Sequence, residues 1–335
     1  MRMWKPLVGA IVGVMAVAAH GQGRTLPEVE LPPNFRQMPA AAQAVSSPWW
    51  GALEEGALPD WLSSARTHHP LRAGLAARIK ALDQGWVSRA VEQKVLRAEI
   101  EGLEDQSERE VVEAALELRS LEARQGLAEQ QATQADELLN LVRQRLAAGL
   151  ATRAEQHEAS ARAARFVTQV SRLTRGRQAA EGRLAGLTGM TQLRVPVQPL
   201  SRMLMGLPVP AAVPASLRER ADVRAVREHV ATREVGAAEL DAAYRESLLR
   251  AVDEVEAAHA SLQLALGQQT AAEVQVVLGV NHLMATRPQF DAGRVARGIM
   301  AEAELQLLDM QQQLQESALQ ARRALAQLYF ALGRR

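Results

Sequence analysis

The side chains that could do chemistry in this chain are few, and their spacing does not favour it. Seven histidines stand at positions 20, 68, 69, 157, 229, 259 and 282. No two have the i, i+4 spacing that sets two imidazoles on one helix face around a metal. The chain has no cysteine, so neither a thiolate site nor a disulfide can form. It also lacks a nucleophile elbow, a dinucleotide-binding loop and a phosphate loop. The expectation is a non-enzyme with no catalytic residue, cofactor or metal. The charges with some positional logic are Arg153 and Glu158, and Arg297 with Glu302 and Glu304. Arg and Glu at helical spacing are most often solvated pairs, each contributing about 0.2–0.5 kcal/mol.

Both charge sets follow a glycine turn, and the two turns are copies. The first is Arg145-Leu-Ala-Ala-Gly-Leu-Ala-Thr152; the second runs from Pro288 through Gly293 to Ala296. At an offset of 144 residues Gly149 matches Gly293 and Gly189 matches Gly333. Arg153 then matches Arg297, Glu158-Ala159 matches Glu302-Ala303, Ala180 matches Ala324 and Leu184 matches Leu328. Such self-similarity predicts two copies of one long helical hairpin, each with its tip at a glycine.

Composition agrees. No proline lies between Pro70 and Pro196 or between Pro214 and Pro288, and aromatics are 3% of the chain. That profile belongs to long helices and coiled coils. A heptad register runs from Val111 to Leu146, apolar at ten of eleven core positions, with Gln125 the exception. Four of the ten are alanine, which lets neighbouring helices approach closely. Thr152 is placed to cap the return helix, which the pattern carries to about Leu187. A straight helix from Leu71 to Ala147 would be ~115 Å long, and at least one such continuous helix is expected. Gly182 and Gly186, four apart, suggest a close helix contact. The second half opens at Ser216, with Glu219 at capping-box spacing, and stays helical to about Thr286.

The chain divides into five stretches. Residues 1–22 have a basic start, a short apolar run from Leu7 to Ala19 and small residues at the end, which is a signal-peptide layout. Residues 23–69 form a proline-rich strap with tryptophans at 49, 50 and 61, and 70–190 are the first helical repeat. A linker at 191–215 carries five prolines, and 216–335 are the second repeat. Formal net charge is +1 with no basic block, so no nucleic-acid partner is expected.

Together these pieces resemble the TolC-like outer-membrane efflux family. The blocks Pro48-Trp-Trp50, Leu58-Pro-Asp-Trp-Leu62 and His68-His-Pro-Leu-Arg72 are similar to its N-terminal part. Glu110-Val-Val112 through Gly149-Leu150 to Leu184-Ala-Gly-Leu-Thr-Gly189 is similar to its first hairpin. Leu217-Arg-Glu-Arg-Ala-Asp-Val-Arg-Ala225 resembles its Arg-Pro-Asp-Val block, with Ala221 in place of Pro. Tyr244 through Asp253-Glu-Val255, Phe290 and Gly293 to Leu328-Tyr-Phe-Ala-Leu-Gly333 resembles the second hairpin. One departure stands out. The family carries a strand pair in each half, and a spanning strand needs roughly 9–11 alternating residues. Around Gly85 and around Gly236 the sequence stays charged, alanine-rich and helical in period. The fold expected is therefore all-α: long antiparallel coiled-coil hairpins in two repeats, with no transmembrane β-barrel.

The resemblance implies that Gly149, Leu150, Ala151 and Thr152, with Gly293, Arg294, Val295 and Ala296, are tips that dock the α-hairpin of a periplasmic adaptor. The plain alternative is that any sharp helix-to-helix turn needs a glycine. Arg153, Glu158, Arg297 and Glu302 would correspond to charges ringing a closed entrance. A homotrimer working with an adaptor and an inner-membrane pump is implied, in the periplasm and peripheral to the outer membrane. The competing reading is a periplasmic coiled-coil structural or regulatory protein, or a degenerate channel, without transport.

Overall fold

A computed structural model describes residues 53, 56–84, 90–191, 193, 217–218, 220–230 and 237–333. The signal-peptide stretch, most of the strap, the proline-rich linker, the Ser216–Glu219 cap and the glycines at 85 and 236 lie outside these. Every described element is helical. In the first half α1 spans Leu58–His68, α2 Arg72–Asp83, α3 Ala90–Ala147 and α4 Arg153–Thr188. The second half holds α5 Ala221–Val230, α6 Ala237–Asp291 and α7 Arg297–Ala331.

The two hairpins, α3–α4 and α6–α7, pack side by side, with α7 against α3. In each, a long helix of ~82–87 Å is paired with a return helix of ~52–54 Å. The unpaired upper third of each long helix takes a short partner instead. Helices α1 and α2 lie on α3, while α5 lies on α3 and α6. Ion pairs stitch this end: Arg66 to Glu108 at 3.3 Å, and Arg224 to Glu101.

The main core sits where the short helices meet the hairpins. From Val111 to Ser120 all residues but Glu113 and Glu117 are buried, because α3 is surrounded here by α1, α4, α5 and α7. Leu53, Leu58 and Trp61 close the cluster from one side, and Leu248, Val252 and Leu325 from the other. Towards the tips the contacts thin to alanine-lined seams: Ala135 and Leu139 on Ala159 and Ala163, and Leu138 on Ala301 and Leu305, with Phe166 touching both. The repeat matches keep their environment. Ala159 and Ala303, Ala180 and Ala324, and Leu184 and Leu328 are all buried, whereas Glu158 and Glu302 are exposed.

Three expectations are corrected. Leu71 to Ala147 is not one straight helix. Arg78 on α2 pairs with Glu99 on α3 at 2.9 Å, although 21 residues of continuous helix would separate them by ~31 Å. The chain therefore doubles back between α2 and α3. It does so again in the second half, where Arg220 reaches Glu254 at 2.7 Å. Second, α6 continues through Pro288 to Asp291, so the proline lies in the last turn rather than outside the helix. The carbonyl it leaves without a helical donor belongs to Met284, an exposed residue. Third, Gly182 and Gly186 make no close contact: a Cβ on either would meet nothing within 4 Å.

Six residues separate Asp83 from Ala90, and six separate Val230 from Ala237. Two spanning strands need about 18–22 residues, so neither connection could hold a transmembrane hairpin whatever its path.

Candidate functional site

Both hairpins end in the same turn. Gly149 and Gly293 have φ of 73° and 70°, the left-handed region that glycine enters at little cost. In the first tip Leu150 N donates to Arg145 O at 2.7 Å and Gly149 N to Leu146 O at 3.0 Å. In the second, Arg294 N donates to Gln289 O at 2.8 Å and Gly293 N to Phe290 O at 2.9 Å. This crossed pair is the Schellman closure, which satisfies the last carbonyls of a helix. Among the described residues the other positive-φ glycines are Gly189 and Gly333, repeat partners of each other, which close the upper ends of α4 and α7.

The exits from the two turns differ. Thr152 accepts from Glu155 N at 3.2 Å, and the Glu155 carboxylate accepts from Thr152 N at 2.6 Å. That reciprocal capping box starts α4. Bonds first from the Thr152 backbone N–H and then from its hydroxyl hold the Glu155 carboxyl below the usual carboxylate range. Arg145 Nη2 adds a bond to Leu150 O at 3.0 Å. At the second tip Ala296 stands where Thr152 does and offers no side-chain cap. Gly149, Leu150, Thr152, Gly293 and Arg294 are exposed; Ala151 and Val295 are half-buried.

The tips lie at the same end of the molecule. Arg297 pairs with Glu137 of α3 at 3.1 Å and sits 5.8 Å from the Phe290 ring centroid, which anchors the second tip to the first hairpin. The proposed ring charges are not joined as their spacing suggested. No ion pair links Arg153 to Glu158, and five residues along a helix do not face each other. Glu302 instead faces Arg162 of α4 at 3.9 Å. One Glu304 oxygen is sealed from solvent without a hydrogen-bond partner.

A polar layer crosses the wall above the tips, at positions the sequence did not single out. Gln131, fully buried on α3, donates to Asp309 of α7 at 2.5 Å and accepts from Gln312 at 2.8 Å. Gln169 of α4 donates to Gln312 at 2.8 Å. Partial burial pushes the Asp309 carboxyl up, opposed by the Gln131 bond and by Arg162. The heptad pattern conceals such a layer, because polar core positions are visible only once the partner helix is known.

The two outer edges of the wall differ in character. Helix α6 exposes Leu264, Val274, Val277, Leu278 and Met284, with Gly267 and Ala271 on the same stripe. Helix α4 exposes Ala161, Ala164, Thr168, Ser171, Gly182 and Gly186, with Arg175 and Gln178 on the same stripe and Val167 beside it. Among the described residues no group of acidic or histidine side chains could hold a metal, and no helix is long and apolar enough to cross a membrane.

Neither protein-family models nor curated proteins gave a match to the chain. Solved structures did. The chain is similar to the outer-membrane channel OprN, with a TM-score of 0.75 and 15% identity over 95% of this chain and 99% of that one. It is similar to the CmeC outer-membrane channel of Campylobacter jejuni, with a TM-score of 0.72 and 11% identity over 93% and 94%. A third is the outer-membrane protein VceC of Vibrio cholerae, with a TM-score of 0.67 and 16% identity over 86% and 99%. The fold is that of the TolC-type channels, and among the described residues it is entirely helical.

Proposed function

We propose that the chain forms the periplasmic helical part of an efflux or export assembly and binds an adaptor protein through its two hairpin tips. The observation that carries this reading is the pair of matched Schellman turns, exposed and held at one end of a channel-type wall. Its action would be association rather than catalysis. The apolar stripe of α6 would seat on the small-residue edge of α4 in a second copy. Such a head-to-tail contact closes into a ring when the rotation permits, and three copies are the number the fold suggests. With six-residue connections in place of strands, the ring cannot perforate the outer membrane by itself. It would work with a full-length channel subunit or beneath one, served by an inner-membrane pump.

The absence of cysteine provides a direct test. Single cysteines at Leu150 and Arg294, carrying a photo-crosslinker, should capture the hairpin of a co-produced periplasmic adaptor. The same label at exposed Thr168, on the α4 edge, should not. Equal labelling at all three positions, or none at the tips, would remove the docking reading. The missing strands favour one alternative, a periplasmic spacer without transport. In that case deletion of the gene would leave compound efflux unchanged while altering envelope assembly.

A further inference from the structure

The two tips share a backbone and hold out different side chains. At the 144-residue offset Leu150 corresponds to Arg294, and Thr152 and Glu155 correspond to Ala296 and Ile299. The residue after a Schellman glycine commonly packs on an apolar residue at the third position from the helix end. Those positions here are Arg145 and Gln289, so neither protruding side chain has an apolar partner within its own turn. Leu150 stays 69% exposed. Arg294 is exposed, and its guanidinium makes no ion pair or hydrogen bond among the described residues. A cation near a helix C-terminus is favoured by the helix dipole. Helix α3 already carries Arg145 in its last turn, whereas α6 has no basic residue there, so Arg294 also supplies the cation at the end of α6.

The surroundings extend the contrast. At the first tip Glu155 brings a carboxylate to the start of α4 and caps it. At the second, α7 begins without a side-chain cap, which leaves the positive end of its dipole facing outward beside Arg294. The next cations are matched between the tips, Arg153 at the first and Arg297 at the second, although Arg297 is engaged by Glu137. The contrast lies in the residue after the glycine, apolar Leu150 at the first tip and cationic Arg294 at the second.

From this difference, and resting on the docking reading above, we infer that the tips are not interchangeable. Leu150 seats in an apolar pocket of a partner hairpin. Arg294 takes a carboxylate, from an Asp or Glu beside the partner's own turn. A partner ring would then meet this chain through two alternating contacts of different chemistry, which fixes its rotational setting.

The test measures binding of the full chain to the soluble hairpin domain of an adaptor encoded beside an inner-membrane pump in the same genome, at low and high salt. Arg294→Leu should weaken binding about tenfold, the equivalent of about 1.4 kcal/mol, and flatten its salt dependence. Leu150→Ala should weaken it by a similar factor and leave the salt dependence as it was. Both side chains are exposed, so helicity should be retained and serves as the control. If the unaltered chain binds no adaptor, the docking reading falls and this inference with it. If it binds, and the two variants either match it within twofold or change its salt dependence alike, the inference alone is overturned.

Discussion

Gly149 and Gly189 have nearly the same backbone angle and opposite surroundings, so replacing each by alanine separates conformational cost from crowding. At Gly149 φ is +73° and a Cβ would meet nothing within 4 Å. Gly149→Ala should therefore cost only the left-handed penalty of an L-residue, about 1–2 kcal/mol. At Gly189 φ is +69°, but the new Cβ would lie 2.6 Å from His68 Cγ and 2.7 Å from His68 Cβ. The second atom is fixed to the backbone of α1 and cannot swing aside. Adding the usual about 1–3 kcal/mol of overpacking to the same left-handed penalty gives about 2–5 kcal/mol for Gly189→Ala. Urea unfolding followed by helical circular dichroism measures both. Gly189→Ala should lose at least about 1 kcal/mol more than Gly149→Ala, the lower end of the overpacking range. His68→Gly in the Gly189→Ala background should recover part of that difference. Equal losses at the two glycines would mean that α1 does not close on the end of α4, and the account of the upper core would fail.

Thr152→Ala removes the cap of α4 and should cost about 1 kcal/mol at neutral pH. The Glu155 carboxyl is held below its ordinary value, so its contribution is present above the unfolded pKa and is lost as pH falls through the folded one. Thr152→Ala keeps the backbone N–H bond to Glu155 and loses the hydroxyl bond, so the gap between wild type and variant should narrow in acid; a gap independent of pH would refute the hydroxyl–carboxylate bond. Asp309 shifts the other way, so its contribution is greatest below the ordinary carboxylate pKa and is lost as pH rises towards the folded value. Asp309→Asn should then leave stability at neutral pH unchanged or higher, and a clear loss in thermal unfolding would contradict this. Leu278→Glu on the exposed stripe of α6 should shift sedimentation from an assembled species to monomer without loss of helicity. An unchanged profile would remove that stripe from the contact between copies.

The parts of the fold that repeat locally could be read from the sequence. The heptads from Val111 to Leu146 follow the inward face of α3, buried at Val111, Ala114, Leu118, Ala128, Ala135 and Leu139 and half-buried at the rest, and the 144-residue offset pairs the glycines that are left-handed among the described residues. What escaped was set by partners far along the chain. Helical periodicity around Gly85 continues on both sides of the reversal, so a pattern that counts residues could not register that Arg78 meets Glu99. Gly182 and Gly186 have the spacing of a close contact, but their face is turned to the outer edge of α4. Ionic partners followed the same rule. Arg297 and Glu302 seemed to belong together, and each is held by a different helix of the first hairpin. Thr152 was legible as the cap of α4, though its partner Glu155 was not singled out; the Gln131–Asp309–Gln312–Gln169 layer was not legible, because its members lie on three helices.

The reversals at the upper end separate the stability of the wall from the identity of what connects it. Arg78–Glu99 on one side and Arg220–Glu254 on the other bring the chain back to where it left, so each connection starts and finishes at neighbouring points. Lengthening such a loop changes its closure entropy slowly, by about 0.6 kcal/mol per doubling, and disturbs no packed surface below. The wall is thus a chassis with two open sockets. Foreign segments whose own ends lie close together, such as a hairpin, a binding loop or a small domain, could be spliced at either socket and displayed in register around an assembled ring.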